Sequence, residues 1–160
     1  MRKILFLVLA IFAICITVSA VSADDDWSFS FGSSSTTDGG SVEINNNELK
    51  IQGEKFTIPK GFEESEEDRL VAEDSSIEGA KVSTCVLEKG NETIFVKVHF
   101  ADGGLETTGG PADSKNVTIA GHKGFLSHDD VSGTVFDFEL NEKLVEITAP
   151  NKKLIEEVLK

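Results

Sequence analysis

The residues best suited to metal or acid-base chemistry are the three histidines, His99, His122 and His128. A metal-assisted hydrolase would use His122 and His128 with Asp129 or Asp130 as the carboxylate ligand. These two histidines flank one short predicted strand, without the i, i+4 or two-residue spacing that places two imidazoles on one ion. The pattern therefore favours exposed turn histidines, and a metal site at His122, His128 and Asp129 is the alternative.

Cysteine chemistry rests on Cys85, because Cys15 lies in the apolar N-terminal stretch. A thiol is a useful nucleophile only beside a base, and no local motif supplies one. Its neighbours Thr84 and Val86 are typical of an ordinary strand. We therefore predict a small buried residue at Cys85 rather than a catalytic thiol.

Carboxylates are concentrated between Glu63 and Glu78, and a second acidic run covers residues 24–26. Hard oxygen ligands suit calcium, but the regular spacing of a calcium-binding loop is missing, so a solvated acidic surface is predicted. The chain also has no G-x-S-x-G, no phosphate-binding glycine loop and no H-E-x-x-H motif. These absences favour a protein that is not an enzyme and has no cofactor.

Two triplets match the acceptor pattern for N-glycosylation, one at Asn91 and one at Asn116. Both fall at predicted turns or strand starts, where the asparagine would be exposed. The two sites are therefore candidates for modification.

The N-terminus has the layout of a secretory signal. Arg2 and Lys3 precede an uncharged stretch over residues 4–23, and small residues replace the strongly apolar ones near its end. We predict cleavage after Ala23, with Ala20 as a second possibility. The competing interpretation is an uncleaved anchor, because about 20 apolar residues can span a bilayer.

The charge of the chain narrows the classes of partner. The net charge is −13, and removal of the signal would make the protein more acidic by taking Arg2 and Lys3 away. Such a field repels nucleic acid and anionic lipid surfaces. We expect an extracellular or envelope partner of unknown identity, no nucleic acid, and contact with a membrane only if the N-terminal segment is retained.

Residues 24–40 are rich in Asp, Ser, Gly and Thr, a composition typical of a flexible arm. Strict alternation from Trp27 to Phe31 would place three aromatic rings on one face of an extended chain. This segment is either an edge strand, a binding arm or a loosely ordered tail.

Beyond residue 40 the hydrophobic pattern has a period of two, which indicates strands. A hairpin is predicted around the asparagines at 45–47, and the clearest pair joins residues 81–88 with 92–100. In the second of these strands one face is expected to be core and the other, with Thr93, Phe95, Lys97 and His99, largely wet. Further strands are predicted at 55–58, 69–72, 116–119, 125–127, 134–140 and 143–148, with a turn at 121–124.

A helix is predicted after Pro150, with Leu154, Ile155, Val158 and Leu159 on its apolar side. The predicted fold is α+β: a single antiparallel, twisted sheet of about six to eight strands with the C-terminal helix packed on it. Residues 41–160 would form one globular domain.

Several segments resemble small exported proteins of methanogenic archaea. They are residues 48–53, 56–62, 118–125 and 143–150. The resemblance covers nearly the whole chain after the signal, and it implies export and an anaerobic host, which agrees with the single cysteine that remains once the signal is removed. It brings no activity with it.

The sequence leaves three functional hypotheses. The first is an exported, non-catalytic binding module at the cell exterior, either secreted or held at the surface. The second is a soluble carrier that encloses an apolar ligand between sheet and helix. The third is the hydrolase built on His122, His128 and Asp129.

Overall fold

The computed structural model describes residues 41–107, 109–131 and 133–160. The predicted signal, its cleavage site at Ala23 and the segment from Trp27 to Phe31 lie outside the described residues. Within the described part, eleven strands and one short α-helix are formed, and every strand pair is antiparallel. The predicted antiparallel sheet with a C-terminal helix is confirmed, and the fold as a whole is mostly β.

A small sheet of three strands comes first in the chain. It contains β1 (Val42–Asn45), β2 (Glu48–Ile51) and β3 (Glu54–Thr57), in that order. The predicted asparagine turn is confirmed, because Asn46 has a φ of 57°, a left-handed conformation that asparagine tolerates.

A second, larger sheet holds the other eight strands. Its order is β4-β6-β7-β11-β10-β9-β8, and β5 also pairs with β6. The strands are β4 (Glu63–Glu64), β5 (Leu70–Asp74), β6 (Lys81–Lys89), β7 (Glu92–Phe100), β8 (Lys115–Ile119), β9 (His122–Asp129), β10 (Gly133–Leu140) and β11 (Lys143–Ala149). The predicted hairpins 81–100 and 134–148 are thus confirmed, whereas the separation into two sheets was not predicted.

The turn predicted at 121–124 was placed too late in the chain. The left-handed residues are Ala120 and Gly121, with φ of 49° and 91°, and β9 already begins at His122. Gly124 therefore lies inside a strand, where a Cβ atom would come within 2.2 Å of the Asp137 carbonyl oxygen. This glycine serves the close approach of β9 and β10 rather than a turn.

The core lies on one face of the large sheet, called here the inner face. Its buried residues come from both sheets and from the helix α1 (Lys152–Val158). Asn151 caps this helix through its side-chain oxygen, which accepts a hydrogen bond from the Leu154 amide at 3.1 Å. The principal buried residues are Leu49, Ile51, Phe56, Leu87, Ile94, Val96, Val98, Phe136, Phe138, Val145, Ile147, Ile155 and Val158.

The opposite face, called here the outer face, is less wet than predicted. Phe95 is exposed, but His99 and, on neighbouring strands, Thr84, Val86 and Thr148 are buried. The expectation of a largely wet face on β7 therefore fails at His99, while Thr93, Phe95 and Lys97 remain at least partly exposed. The cause is long-range: β7 has a strand on each side, and residues 76–77, 106–107 and 109–111 border the same surface.

Candidate functional site

Charged side chains form a row across the centre of the outer face. The register sets Asp137 on β10 opposite Glu146 on β11, and Glu146 opposite Lys97 on β7. Leu144 lies opposite His99 by the same register. Because residues opposite one another on neighbouring strands share a face, these five positions on three strands come together.

These residues line a cleft of about 710 Å³ that is open on one side. One wall is formed by residues 76–77, and the other by residues 106–107 and 109–111. Gly110 lies against the aromatic ring of Phe125, and a Cβ atom there would come within 2.4 Å of the ring. The second wall can approach the sheet this closely because residue 110 has no side chain.

Lys97 and Glu146 form an ion pair in the cleft. The lysine Nζ lies 2.7 Å from Oε1 of the glutamate, and the side chains are 36% and 29% exposed. Each charge of the pair is thus compensated by the other, in a position that a bound molecule could still reach.

Asp137 is a partly buried carboxylate in the cleft, and its environment disfavours the charged form. Burial, and then the nearby negative charge of Glu146, raise its pKa to about 6. The positive charge of Lys97 acts in the opposite direction and is the smallest of the three effects. No residue in the described part of the chain donates a hydrogen bond to this carboxyl group. Near neutral pH it therefore carries a charge that a bound molecule could stabilise.

His99 supplies a neutral hydrogen-bonding group. It is 9% exposed, and burial lowers its pKa. Its Nδ1 lies 2.8 Å from the Ser75 hydroxyl, whose oxygen already accepts the Ile77 amide at 3.0 Å. The hydroxyl can donate to Nδ1 in the tautomer that carries its proton on Nε2, and it can accept from Nδ1 in the other tautomer.

The metal-site candidates do not come together. His122 and His128 lie near opposite ends of β9, about 20 Å apart by the rise of an extended strand. The His122 ring packs on Phe138 at 4.8 Å between centroids, and His128 is exposed, 4.0 Å from Asp130. Asp129 accepts a hydrogen bond from the Val131 amide. Across the described ranges, no group of three or more His, Cys, Asp or Glu residues is placed to hold a metal ion.

Cys85 is fully buried, as predicted. Its Sγ lies 3.6 Å from Oε1 of Glu64, a carboxylate that accepts two hydrogen bonds from Arg69. Burial and then the charge of Glu64 raise the pKa of the thiol to about 12. The thiol is therefore protonated at neutral pH, a state with little nucleophilic reactivity.

The two glycosylation candidates are exposed in the structure. Asn91 lies in the turn between β6 and β7, and Asn116 lies on β8, at the edge of the large sheet.

The acidic run at 63–78 is partly paired, by Glu64 with Arg69 and by Asp74 with Lys81 at 2.6 Å. It offers no calcium site within the residues that the structure describes.

Sequence reasoning did not identify Lys97, Asp137 and Glu146 as a group. A weak signal exists for Asp137, which lies between two core residues, Phe136 and Phe138. The other two resemble ordinary charged residues on the wet face of a strand. Only the strand register, which depends on long-range pairing, brings the three together.

Comparison with protein-family models, curated proteins and solved structures gives no match for this chain. No helix within the described ranges combines the length and apolar character needed to cross a membrane. The outer-face cleft is therefore the candidate functional site of the described chain.

Proposed function

We propose that this protein is an exported, non-catalytic binding module that holds a small polar ligand in the outer-face cleft. The observation that carries the proposal is the cleft itself, where Lys97, His99, Asp137 and Glu146 converge on the side of the sheet away from the core. Concave sites with a few convergent polar groups and a shifted pKa are typical of binding sites.

The absence of catalytic machinery from the described cleft residues favours binding over turnover. Lys97 is held by Glu146, and the hydroxyl beside His99, that of Ser75, is not among the residues that line the cleft. The groups are instead arranged to accept and donate hydrogen bonds to a bound molecule.

The carrier hypothesis has less support. An apolar ligand between sheet and helix would occupy space that is filled by side chains, because Ile155 and Val158 are fully buried in one cluster with Val145 and Ile147. The hydrolase hypothesis likewise lacks a shared location for His122 and His128. The geometry favours the outer face.

Nuclear magnetic resonance with a library of polar fragments tests the proposal. We expect fragments to shift the backbone amide signals of Lys97, His99, Asp137 and Glu146 in the isotopically labelled protein. The variant Ser76→Trp places a large ring at an exposed position of the cleft wall and should abolish these shifts.

The matched control is Lys153→Trp, which puts the same ring on the exposed side of α1. It should leave fragment binding unchanged. The proposal would be wrong if no fragment perturbed the outer-face residues, or if Ser76→Trp and Lys153→Trp bound the fragments equally well.

A further inference from the structure

Charge is distributed unequally around the cleft. Glu106, Asp137 and Glu146 are lining carboxylates, whereas Lys97 is the one lysine or arginine among the lining residues of the described chain. The lysine is already paired with Glu146 at 2.7 Å, and the pKa of His99 is lowered by burial, which keeps this imidazole neutral. Two negative charges remain without a compensating group in the cleft.

Building on the proposed function, we propose that the ligand is a small organic cation whose ammonium group lies beside Asp137 and Glu146. An ammonium group has three donors for the carboxylate oxygens and supplies the charge that Asp137 lacks. An anionic ligand would meet two uncompensated carboxylates and would have to displace Glu146 from Lys97.

The walls of the cleft favour an organic cation over a bare metal ion. Ile77, Pro111 and Leu144 contribute apolar surface, against which a short carbon chain can pack. A hydrated metal ion would gain nothing from these side chains, and no described group of three ligands is placed to replace its water.

His99 adds a second contact. In the tautomer that carries its proton on Nε2, this buried imidazole can donate to a hydroxyl or carbonyl oxygen of the ligand, and no described residue occupies that nitrogen. The net charge of −13 also draws cations toward the whole molecule and raises their concentration near its surface.

Three probes with four carbon atoms each separate charge from shape: n-butylammonium, butan-1-ol and butanoate. Each is titrated into the labelled protein at pH 7.5, and the carboxyl carbon signal of Asp137 is followed. We expect saturable binding of n-butylammonium at least about tenfold tighter than that of the other two probes.

Two variants test the role of charge. Asp137→Asn should weaken n-butylammonium binding at least about tenfold, followed by the amide signals of Lys97 and Glu146, whereas Glu156→Gln on α1 should not change it. Should Asp137→Asn not fold, Glu106→Gln removes an exposed carboxylate from the wall and is expected to weaken binding a few-fold.

The outcomes distinguish this inference from the proposed function. Equal or tighter binding of butan-1-ol or butanoate in the cleft would overturn the cationic ligand and leave the binding module standing. Failure of all three probes to reach the cleft would also overturn it, and the fragment library would then decide the proposed function separately. Preferential binding of n-butylammonium that is lost in Asp137→Asn would support both.

Discussion

Asp137 is the residue at which stability and binding are opposed. Its carboxyl group is surrounded by the sheet and by Glu146, and its pKa is raised to about 6 from an ordinary value of 3.8. Between these two pH values the folded protein binds a proton that the unfolded chain does not, so the free energy of unfolding falls as pH rises through that range. A residue that destabilises its own fold at neutral pH is typical of a functional site.

Replacement of this charge should therefore stabilise the protein. We expect Asp137→Asn to raise the free energy of unfolding at pH 7.5 by about 1 kcal/mol, since solvent access to the cleft reduces the full effect of the pKa shift. The gain should vanish below about pH 4, where Asp137 becomes protonated in both the folded and the unfolded protein. Urea denaturation at the two pH values measures it, and equal stability of variant and native protein at pH 7.5 would contradict it.

Binding of a cation should also depend on pH. Asp137 loses its charge as pH falls through about 6, so n-butylammonium affinity should fall several-fold between pH 7.5 and pH 5. The other ionisable groups facing the ligand are Lys97, His99, Glu106 and Glu146. Protonation of His99 would act in the same direction, because it adds a positive charge to the cleft. Calorimetric titrations at a series of pH values test this, and affinity that rises on acidification would contradict it.

At the scale of elements, a buried ion pair joins the small sheet to the large one. Glu54 on β3 accepts hydrogen bonds from Lys143 on β11 and, at 2.8 Å, from Asn141. The Glu54 side chain is 9% exposed and that of Lys143 is 24% exposed. The pair therefore links the two sheets near the turn between β10 and β11.

Removal of one partner should be costly, because it leaves a partly buried charge without compensation. We expect Glu54→Ala to lower the free energy of unfolding by about 2 kcal/mol. The exposed pair of Lys55 with Glu48 provides the control, and Lys55→Ala should cost no more than about 0.5 kcal/mol. Thermal unfolding of the two variants checks this, and equal losses would show that the buried pair has no special role.

The strands could be predicted from sequence more fully than the cleft could. Alternation is a local signal, so the pair β6 and β7 and the hairpin of β10 and β11 were recognised nearly to their ends. The burial of His99 could not be recognised, because Ser75 lies 24 residues away in sequence. Likewise Lys97 and Glu146 are separated by 49 residues and meet only through the pairing of β7 with β11.

Glycine has two structural roles in this region, a turn and a close approach of two strands, and the sequence alone could not distinguish them. Gly121 and Gly124 both suggested a turn, and only the first is in one. The second is required by the approach of β10, which is a tertiary constraint. The resulting displacement of the predicted turn shortened the predicted strand to 125–127, whereas β9 covers His122–Asp129.

At the level of the whole molecule, the proposed export would determine where the cleft meets its ligand. We expect the mature protein to begin at Asp24 and to occur in a soluble fraction outside the cell. Intact mass and N-terminal sequencing of native protein from fractionated cells and medium measure this. Retention of Met1 in the membrane fraction would contradict release and indicate a tethered surface domain, and added mass in hexose-sized steps would indicate modification of Asn91 or Asn116.

The strongly acidic surface and the mixed charges of the cleft act together in this account. The negative field of the molecule attracts cations, and the cleft provides carboxylates, one neutral imidazole and apolar walls where a small cation can be held. The two features are separable by salt. Raising the ionic strength should weaken the general attraction more than the contacts inside the cleft.

Intermolecular nuclear Overhauser effects between n-butylammonium and the labelled protein would show directly whether the outer-face cleft binds a small organic cation. The account predicts contacts from the butyl chain to Ile77 and Leu144, and from the carbon next to nitrogen to the strands that carry Asp137 and Glu146. Contacts confined to another surface, such as the groove between Pro59 and Lys160, would contradict it.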